Sequence, residues 1–173
     1  IDSIYFPKSI TQIDRFALHN TEWFDGAKSD MLYVNNILYA YKGNKDSIFA
    51  EQFKENITTI ENHCFANNQK LKYINLPSNI LYIRNSAFEN CTNLTKINLP
   101  YDLEFIGDYA FRNCKNLTNI KLNNLLEHIG KYSFSNCSNI ENIFLPHSLK
   151  SMSEAVFYNC ANLQRANIPD SNK

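Results

Sequence analysis

The chain repeats one pattern of apolar and polar positions every 23 residues. The pattern reads C-x-x-L-x-x-I-x-L-P-x-x-L-x-x-I-x-x-x-A-F-x-N, and we call equivalent positions in successive units a column. The Phe column is unbroken and contains Phe65, Phe88, Phe111, Phe134 and Phe157. Because one unit of this size cannot bury its own apolar residues, we predict that the units stack into a solenoid in which each covers the next.

The L-x-x-I-x-L segment of each unit predicts a short β-strand, because its last two apolar residues alternate with a polar one. Pro77, Pro100, Pro146 and Pro169 follow these segments and end the strands, since Pro has no N–H to donate. Strands about 4.8 Å apart would form one parallel sheet along the solenoid. We expect short helical or 3₁₀ turns around the A-F-x-N-C segment.

The N-terminal third departs from the pattern. Residues 1–18 match a partial repeat, in which Ile4 and Ile10 lie in apolar columns and Leu18 in the Phe column. Residues 31–34 and 37–41 flank Asn35-Asn36, a two-residue turn signal, and predict a small antiparallel hairpin, or a meander that continues into residues 47–50.

These observations predict a single domain, residues 1–173. It would consist of the partial repeat 1–18, an irregular β-hairpin insertion 19–56 and regular 23-residue repeats 57–173. Because Ile1 begins inside a unit, we expect the native array to be longer.

The L-x-x-I-x-L spacing resembles the leucine-rich repeat signature. The A-F pair, the Cys three residues after Phe and the L-P pair after the strand resemble the BspA-like subfamily, over almost the whole chain. This resemblance implies a right-handed leucine-rich repeat solenoid, mainly β. BspA-like proteins are typically surface-associated adhesins that bind host extracellular-matrix proteins or other cells, so the resemblance implies a cell-surface or secreted protein.

Two further columns have structural explanations. Asn67, Asn90, Asn113, Asn136 and Asn159 lie two residues after Phe; Asn tolerates left-handed backbone and bonds turn groups, so this column would hold the same bend in each unit. Cys91, Cys114, Cys137 and Cys160 lie three after Phe. Zinc is disfavoured because there are no C-x-x-C pairs. Disulfides between neighbouring units remain conceivable, and buried free thiols fit best.

Charge and motifs exclude several functions. With 17 Lys and Arg against 17 Asp and Glu, the chain has no net charge and no basic run, which argues against a nucleic-acid partner. The motifs G-x-S-x-G, H-E-x-x-H, G-x-G-x-x-G and G-x-x-x-x-G-K are missing. We therefore predict no enzyme activity, no cofactor and no metal.

The residues that flank the strand Ile should point outward and form the candidate binding face. Asn75 and Asn167 share its columns, and the candidates are Tyr73, Lys96, Asn98, Asn119, Lys121, Asn142, Phe144 and Arg165. This mixture suits a protein or glycan ligand. Two hypotheses stay open: a surface or secreted recognition module, and an intracellular scaffold or structural spacer.

Five N-x-S/T sequons begin at Asn56, Asn90, Asn93, Asn116 and Asn136. Asn90 and Asn136 lie in the Asn column, and Asn93 and Asn116 lie in a second one, five residues after Phe, that also contains Asn139 and Asn162. Asn56 is therefore the first choice for glycosylation.

Overall fold

A computed structural model describes residues 6–14 and 16–167 of the chain. Ile4, Ile168 and Pro169, which the repeat pattern includes, lie outside these ranges. The elements in the described part are α1 (Glu22–Asp25), β1 (Met31–Val34), β2 (Ile37–Tyr41), β3 (Ser47–Ile48), a 3₁₀ helix (Ala50–Gln52), β4 (Thr59–Ile60), β5 (Tyr73–Asn75), β6 (Tyr82–Ile83), β7 (Lys96–Asn98), β8 (Phe105–Ile106), β9 (His128–Ile129), β10 (Asn142–Phe144), β11 (Ser151–Met152) and β12 (Arg165–Asn167).

Each repeat unit forms one coil of a solenoid, and most coils contribute strands to two sides of it. The predicted L-x-x-I-x-L segments supply β5, β7, β10 and β12. With β3 from the irregular N-terminal region they form a three-stranded sheet, β3-β5-β7, and a two-stranded sheet, β10-β12; we call these the face sheets. The strands of the other side, which we call the long sheet, have the order β1-β2-β4-β6-β8-β9-β11. The prediction of a single sheet was therefore wrong, because the L-x-x-I segment after the Pro position also forms a strand.

A buried Ile column sets the register of the strands on each side of the solenoid. In the long sheet Ile83 is paired with Ile60 and Ile106, and in the face sheet Ile74 is paired with Ile48 and Ile97. All six are buried. A slip by one residue would turn this apolar column outward, so burial fixes the register.

The Phe column forms a continuous stack inside the solenoid. Phe65, Phe88, Phe111 and Phe134 are fully buried, and their neighbouring ring centroids lie 4.9, 5.2 and 5.2 Å apart with the rings almost parallel. Burying one such side chain contributes roughly 1.5–3 kcal/mol. Each ring is covered by the next coil, so this contribution exists only in the stacked array.

The turns around A-F-x-N-C are not helical, contrary to the sequence-based expectation. The residues two before and two after each Phe have φ between 52° and 63°, in the left-handed region. The first of these columns contains His63, Ser86, Tyr109, Tyr132 and Ala155, and the second is the Asn column. Two left-handed residues in one turn prevent a helix, because a right-handed helix needs negative φ throughout.

The Asn column forms a ladder of side-chain hydrogen bonds. The Nδ2 group of Asn113 donates to Oδ1 of Asn90 at 2.6 Å, and the pairs 90–67, 136–113 and 159–136 repeat this contact at 2.9, 2.7 and 2.7 Å. All five residues have positive φ. The predicted left-handed backbone of this column is confirmed, but its side chains bond one another and not the backbone groups of the turn.

The N-terminal region contains the hairpin and is joined to the solenoid. β1 pairs antiparallel with β2, as the Asn35-Asn36 signal predicted, whereas β3 pairs parallel with β5 and not with β2, so there is no meander. β2 also pairs with β4, so this region supplies strands to both sides of the solenoid. The division of the chain at residues 18 and 56 stays a prediction.

A buried carboxylate connects residues 6–14 to the solenoid. Glu61 is 0% exposed and accepts hydrogen bonds from the backbone N–H groups of Ile13, at 3.2 Å, and Asn62, at 2.8 Å. Burial raises the pKa of Glu61, and the two N–H donors oppose this shift. Among the described residues no helix is long and apolar enough to cross a membrane.

The Asn ladder makes a direct prediction about stability. Asn113→Ala removes two ladder bonds and leaves a side chain that disfavours positive φ, so we expect it to lower the free energy of unfolding by about 1–3 kcal/mol in urea denaturation. Asn116→Ala is the control, since Asn116 is exposed and lies outside the ladder; its effect should stay within about 0.5 kcal/mol. Equal losses in both variants would contradict the role of the ladder.

Candidate functional site

The predicted face residues come from successive coils and lie side by side. Tyr73 is the register partner of Lys96, Lys96 forms a bridge with Asn119, and Asn142 is the partner of Arg165. Their side chains lie on the outer surface because the intervening Ile residues point into the core. The sequence pattern thus predicted the placement of these residues.

Exposure increases along the face. Tyr73 and Asn98 are half-buried, Lys96, Asn119, Lys121, Asn142 and Arg165 are exposed, and Phe144 is the most exposed aromatic residue of the set, at 65%. We call these eight residues the strand face. An exposed Phe contributes nothing to the core, so it is available for contact with a partner.

The two face sheets are separated by the coil that contains Lys121. On the side of the face sheets this coil has only the isolated bridge at Asn119 and no strand, so β7 and β10 are not joined. Asn123 stands here where other coils have Pro, and its Nδ2 donates to the carbonyls of Pro100, at 2.7 Å, and Leu103, at 3.0 Å. The strand face is therefore one surface supported by two sheets.

One end of the strand face contains an aromatic and cationic cluster. The Phe49 and Tyr73 ring centroids lie 5.5 Å apart, the Nζ atom of Lys96 lies 5.8 Å from the Tyr73 ring centroid, and Nδ2 of Asn98 donates to the Tyr73 hydroxyl at 3.0 Å. Phe49 is 44% exposed. Sequence analysis missed Phe49 because it assigned the residue to an insertion; the S-I-F spacing, which matches Y-I-N in β5, could have shown it.

The long sheet has an outward column of its own, which sequence analysis also missed. It contains Tyr82, Phe105, His128 and Ser151. The Phe105 and His128 rings stack at 4.7 Å, and the Arg84 guanidinium lies 4.9 Å from the Tyr82 ring centroid. The Tyr82 ring is tilted by 55° to the Phe105 ring, at 6.5 Å. Because each ring contacts the next coil, the column acts mainly as a structural ladder.

The cysteines are free thiols, as the sequence favoured. Four of the five are buried, Cys160 is half-buried, and none is in a disulfide. The Sγ atoms of Cys91, Cys114, Cys137 and Cys160 lie 3.1–3.2 Å from the carbonyl oxygens of the Phe residues 26 positions earlier. Burial raises the pKa of Cys91 to about 12 and also raises the pKa of the other four. These thiols pack and donate rather than react.

Hydrogen bonds of the Asn side chains affect which sequons can carry a glycan. Asn90 and Asn136 donate through Nδ2 within the Asn ladder, and Nδ2 of Asn93 donates to the Gln69 carbonyl at 2.7 Å, so the atom that would carry a glycan is engaged. Asn56 is exposed. Glycosylation of Asn56 stays a prediction.

The described residues contain no group of three or more His, Cys, Asp or Glu side chains placed to hold a metal ion. The strand face has no carboxylate and no His, which are the usual groups of acid–base catalysis. Its chemistry is that of a contact surface: amides, cations and aromatic rings.

The repeated coils, the Phe stack and the strand face define a leucine-rich repeat solenoid. The family model of the BspA type leucine rich repeat region matches six copies over residues 1–91 and 58–173. The chain belongs to this BspA-type leucine-rich repeat family. No curated protein matches it.

Solved bacterial proteins share the fold. A leucine-rich repeat protein of T. pallidum superposes with a TM-score of 0.71 at 29% identity, over 73% of this chain and 60% of that one. A leucine-rich cell surface protein of Faecalibacterium prausnitzii gives 0.67 at 24% identity, over 73% and 33%. A leucine-rich repeat protein of Bacteroides ovatus gives 0.61 at 27%, over 71% and 37%. The matched part is thus less than two thirds of each of these proteins.

The buried cysteines lead to a chemical test. In the folded protein at about pH 8 we expect Cys64, Cys91, Cys114 and Cys137 to resist a thiol reagent, because the reagent needs an accessible thiolate, and Cys160 to react first. All five should react in guanidinium. Mass spectrometry locates the label; rapid labelling of the four in the folded protein, or fewer than five reactive thiols after unfolding, would contradict the buried free-thiol structure.

Proposed function

We propose that this chain is a non-enzymatic recognition module of a cell-surface or secreted adhesin, and that the strand face binds a protein or glycan of host matrix or of another cell. The observation that carries the proposal is the contrast between the strand face and the other columns. The face has exposed aromatic and cationic side chains that change from coil to coil, whereas the Phe, Asn and Cys columns repeat the same residue and the same contact.

This contrast distinguishes residues that stabilise the stack of coils from residues that are available for binding. A Phe, Asn or Cys in its column is needed by the coil beside it, because its ring, amide or thiol contacts that coil. Lys96 lies in one outward column of the strand face, and Lys121 and Phe144 lie in the other; none of the three is needed for stacking. Residues held in a rigid array without a structural task are suited to selective contact.

The comparisons support the coarser part of the proposal. Leucine-rich repeat solenoids commonly offer extended surfaces to protein partners, and the matched protein of Faecalibacterium prausnitzii is a cell surface protein. A surface location and an adhesin role for this chain are proposals that rest on this family relationship.

The experiment is a binding screen against fibronectin, other matrix proteins and a glycan array. The face variant combines Tyr73→Ala, Lys96→Ala and Phe144→Ala. We expect saturable binding by the native chain and a loss of roughly tenfold or more in the variant, since few residues of an interface carry most of its energy.

The control variant combines Phe16→Ala, Lys150→Ala and Tyr158→Ala, which removes the same residue types from exposed positions outside the strand face. Both variants must keep the circular dichroism spectrum and unfolding midpoint of a folded solenoid. Binding that the face variant retains, or that both variants lose equally, would contradict the proposal.

A further inference from the structure

The charges of this neutral chain are unevenly distributed around the solenoid. The strand face contains three cations, Lys96, Lys121 and Arg165, and no acidic residue. The outer columns of the long sheet and the turn after it instead mix both signs: Glu104, Glu127, Asp108 and Glu154 lie beside Arg84, Lys131 and Lys150. A net charge of zero therefore conceals a basic side.

The basic side extends into an open depression at the β3 end of the strand face. The depression is lined by Asn44, Lys45, Asp46, Ser47, Phe49, Gln69, Lys70, Lys72 and Asn93. It contains three lysines and one acid, and Asp46 is 3.8 Å from Lys72 with both side chains more than 60% exposed. Such an exposed pair is weak. We call the depression and the strand face together the basic face.

The other cations of the basic face have no such neighbour. In the part of the chain that the structure describes, salt bridges join Lys72 to Asp46, Arg112 to Glu89 and Lys150 to Glu127. None of these pairs includes Lys70, Lys96 or Lys121. Cations that are not neutralised locally create a positive potential that attracts and orients an acidic partner.

Two aromatic rings lie beside these lysines. Phe49 lines the depression and contacts Tyr73, whose ring carries Lys96 above it. An apolar centre with a charged and amide-rich border is the usual arrangement of a protein-binding surface. The Asn44 amide can bond a polypeptide backbone, whereas the Gln69 and Asn93 amides already donate to the carbonyls of Asn90 and Gln69.

We propose that the basic face binds an acidic polypeptide segment, whose Asp or Glu side chains contact the lysines while an apolar side chain packs on Phe49 and Tyr73. This inference rests on the proposed function and adds the chemical class of the partner. A protein partner fits better than a sulfated polysaccharide, because a polysulfated chain has little apolar surface to cover the rings of Phe49 and Tyr73.

The test uses short fluorescent peptides of equal length that share one Phe and one Tyr and differ only in carrying Glu, Gln or Lys. Fluorescence anisotropy measures their affinity for the whole chain. We expect saturable binding of the Glu peptide, binding of the Gln peptide that is weaker by roughly tenfold or more, and none of the Lys peptide. Raising the ionic strength from about 0.02 to about 0.2 M should weaken the Glu peptide further, because salt screens exposed charges.

Variants locate the contact. Lys70→Gln with Lys72→Gln and Lys96→Gln should reduce the affinity for the Glu peptide roughly tenfold, and Phe49→Ala should reduce it with no change in net charge. Lys28→Gln with Lys131→Gln and Lys150→Gln removes the same charge elsewhere and should leave the affinity within about twofold. Equal effects of the two triple variants would overturn the proposal, because the attraction would then depend on net charge alone.

Heparin, a sulfated polysaccharide, is the competing probe. If heparin binds more tightly than the Glu peptide and is unaffected by Phe49→Ala, the partner is a polyanionic glycan and the proposal is wrong. Failure of this proposal is distinguishable from failure of the proposed function. If the native chain binds a matrix ligand, the face variant does not bind it and the Glu peptide does not bind the native chain, the strand face remains the binding site and only the acidic partner is overturned.

Discussion

The structure depends on one constraint: each turn leaves backbone groups that only the next coil can satisfy. The N–H of Phe65, Phe88 and Phe111 donates to the carbonyl 22 residues later, at 2.8, 2.7 and 2.7 Å. A buried N–H without a partner costs as much as a lost hydrogen bond, so coils must match in length and bend. The 23-residue period follows from this requirement. The left-handed residues on either side of Phe, the Asn ladder and the Phe stack keep each bend identical to its neighbour.

That constraint divides the side chains into two groups. Inside the solenoid and along its turns, a residue serves its own coil and the next, so Phe88, Asn90 and Cys91 have contacts on both sides of the stack. On the face sheets the backbone pairs through its own groups, and the outward side chains need not match. Variation at the exposed residues Lys96 and Arg165 therefore costs little stability. A solenoid of this kind can change its partner without changing its fold, which is why we place function on the strand face.

Much of this arrangement could be predicted from the sequence because the same residue type recurs at the same position of each unit. Five Phe residues at one interval exclude any but a stacked fold, and the alternation around Ile74 and Ile97 placed the strand face. The long sheet was missed because its strands in the repeat coils, β4, β6, β8, β9 and β11, have two residues each. The apolar spacing there, from Ile80 to Ile83, is three, which indicates a turn. The helical turns were wrong because Tyr109 and Tyr132 have positive φ, a conformation that their residue type does not signal. The cluster of Phe49, Tyr73 and Lys96 depends on pairing across an irregular segment, so it required the structure.

The central claim is that the stacking columns stabilise the fold, whereas the exposed residues of the strand face do not. The most direct measurement is the free energy of unfolding of single alanine variants at every position of one coil, residues 90–112. The claim predicts losses of about 1–5 kcal/mol at Asn90, Cys91, Leu94, Ile97 and Phe111, and changes within about 0.5 kcal/mol at Lys96. Losses at Lys96 as large as those at Ile97 would contradict it, since the strand face would then be part of the framework.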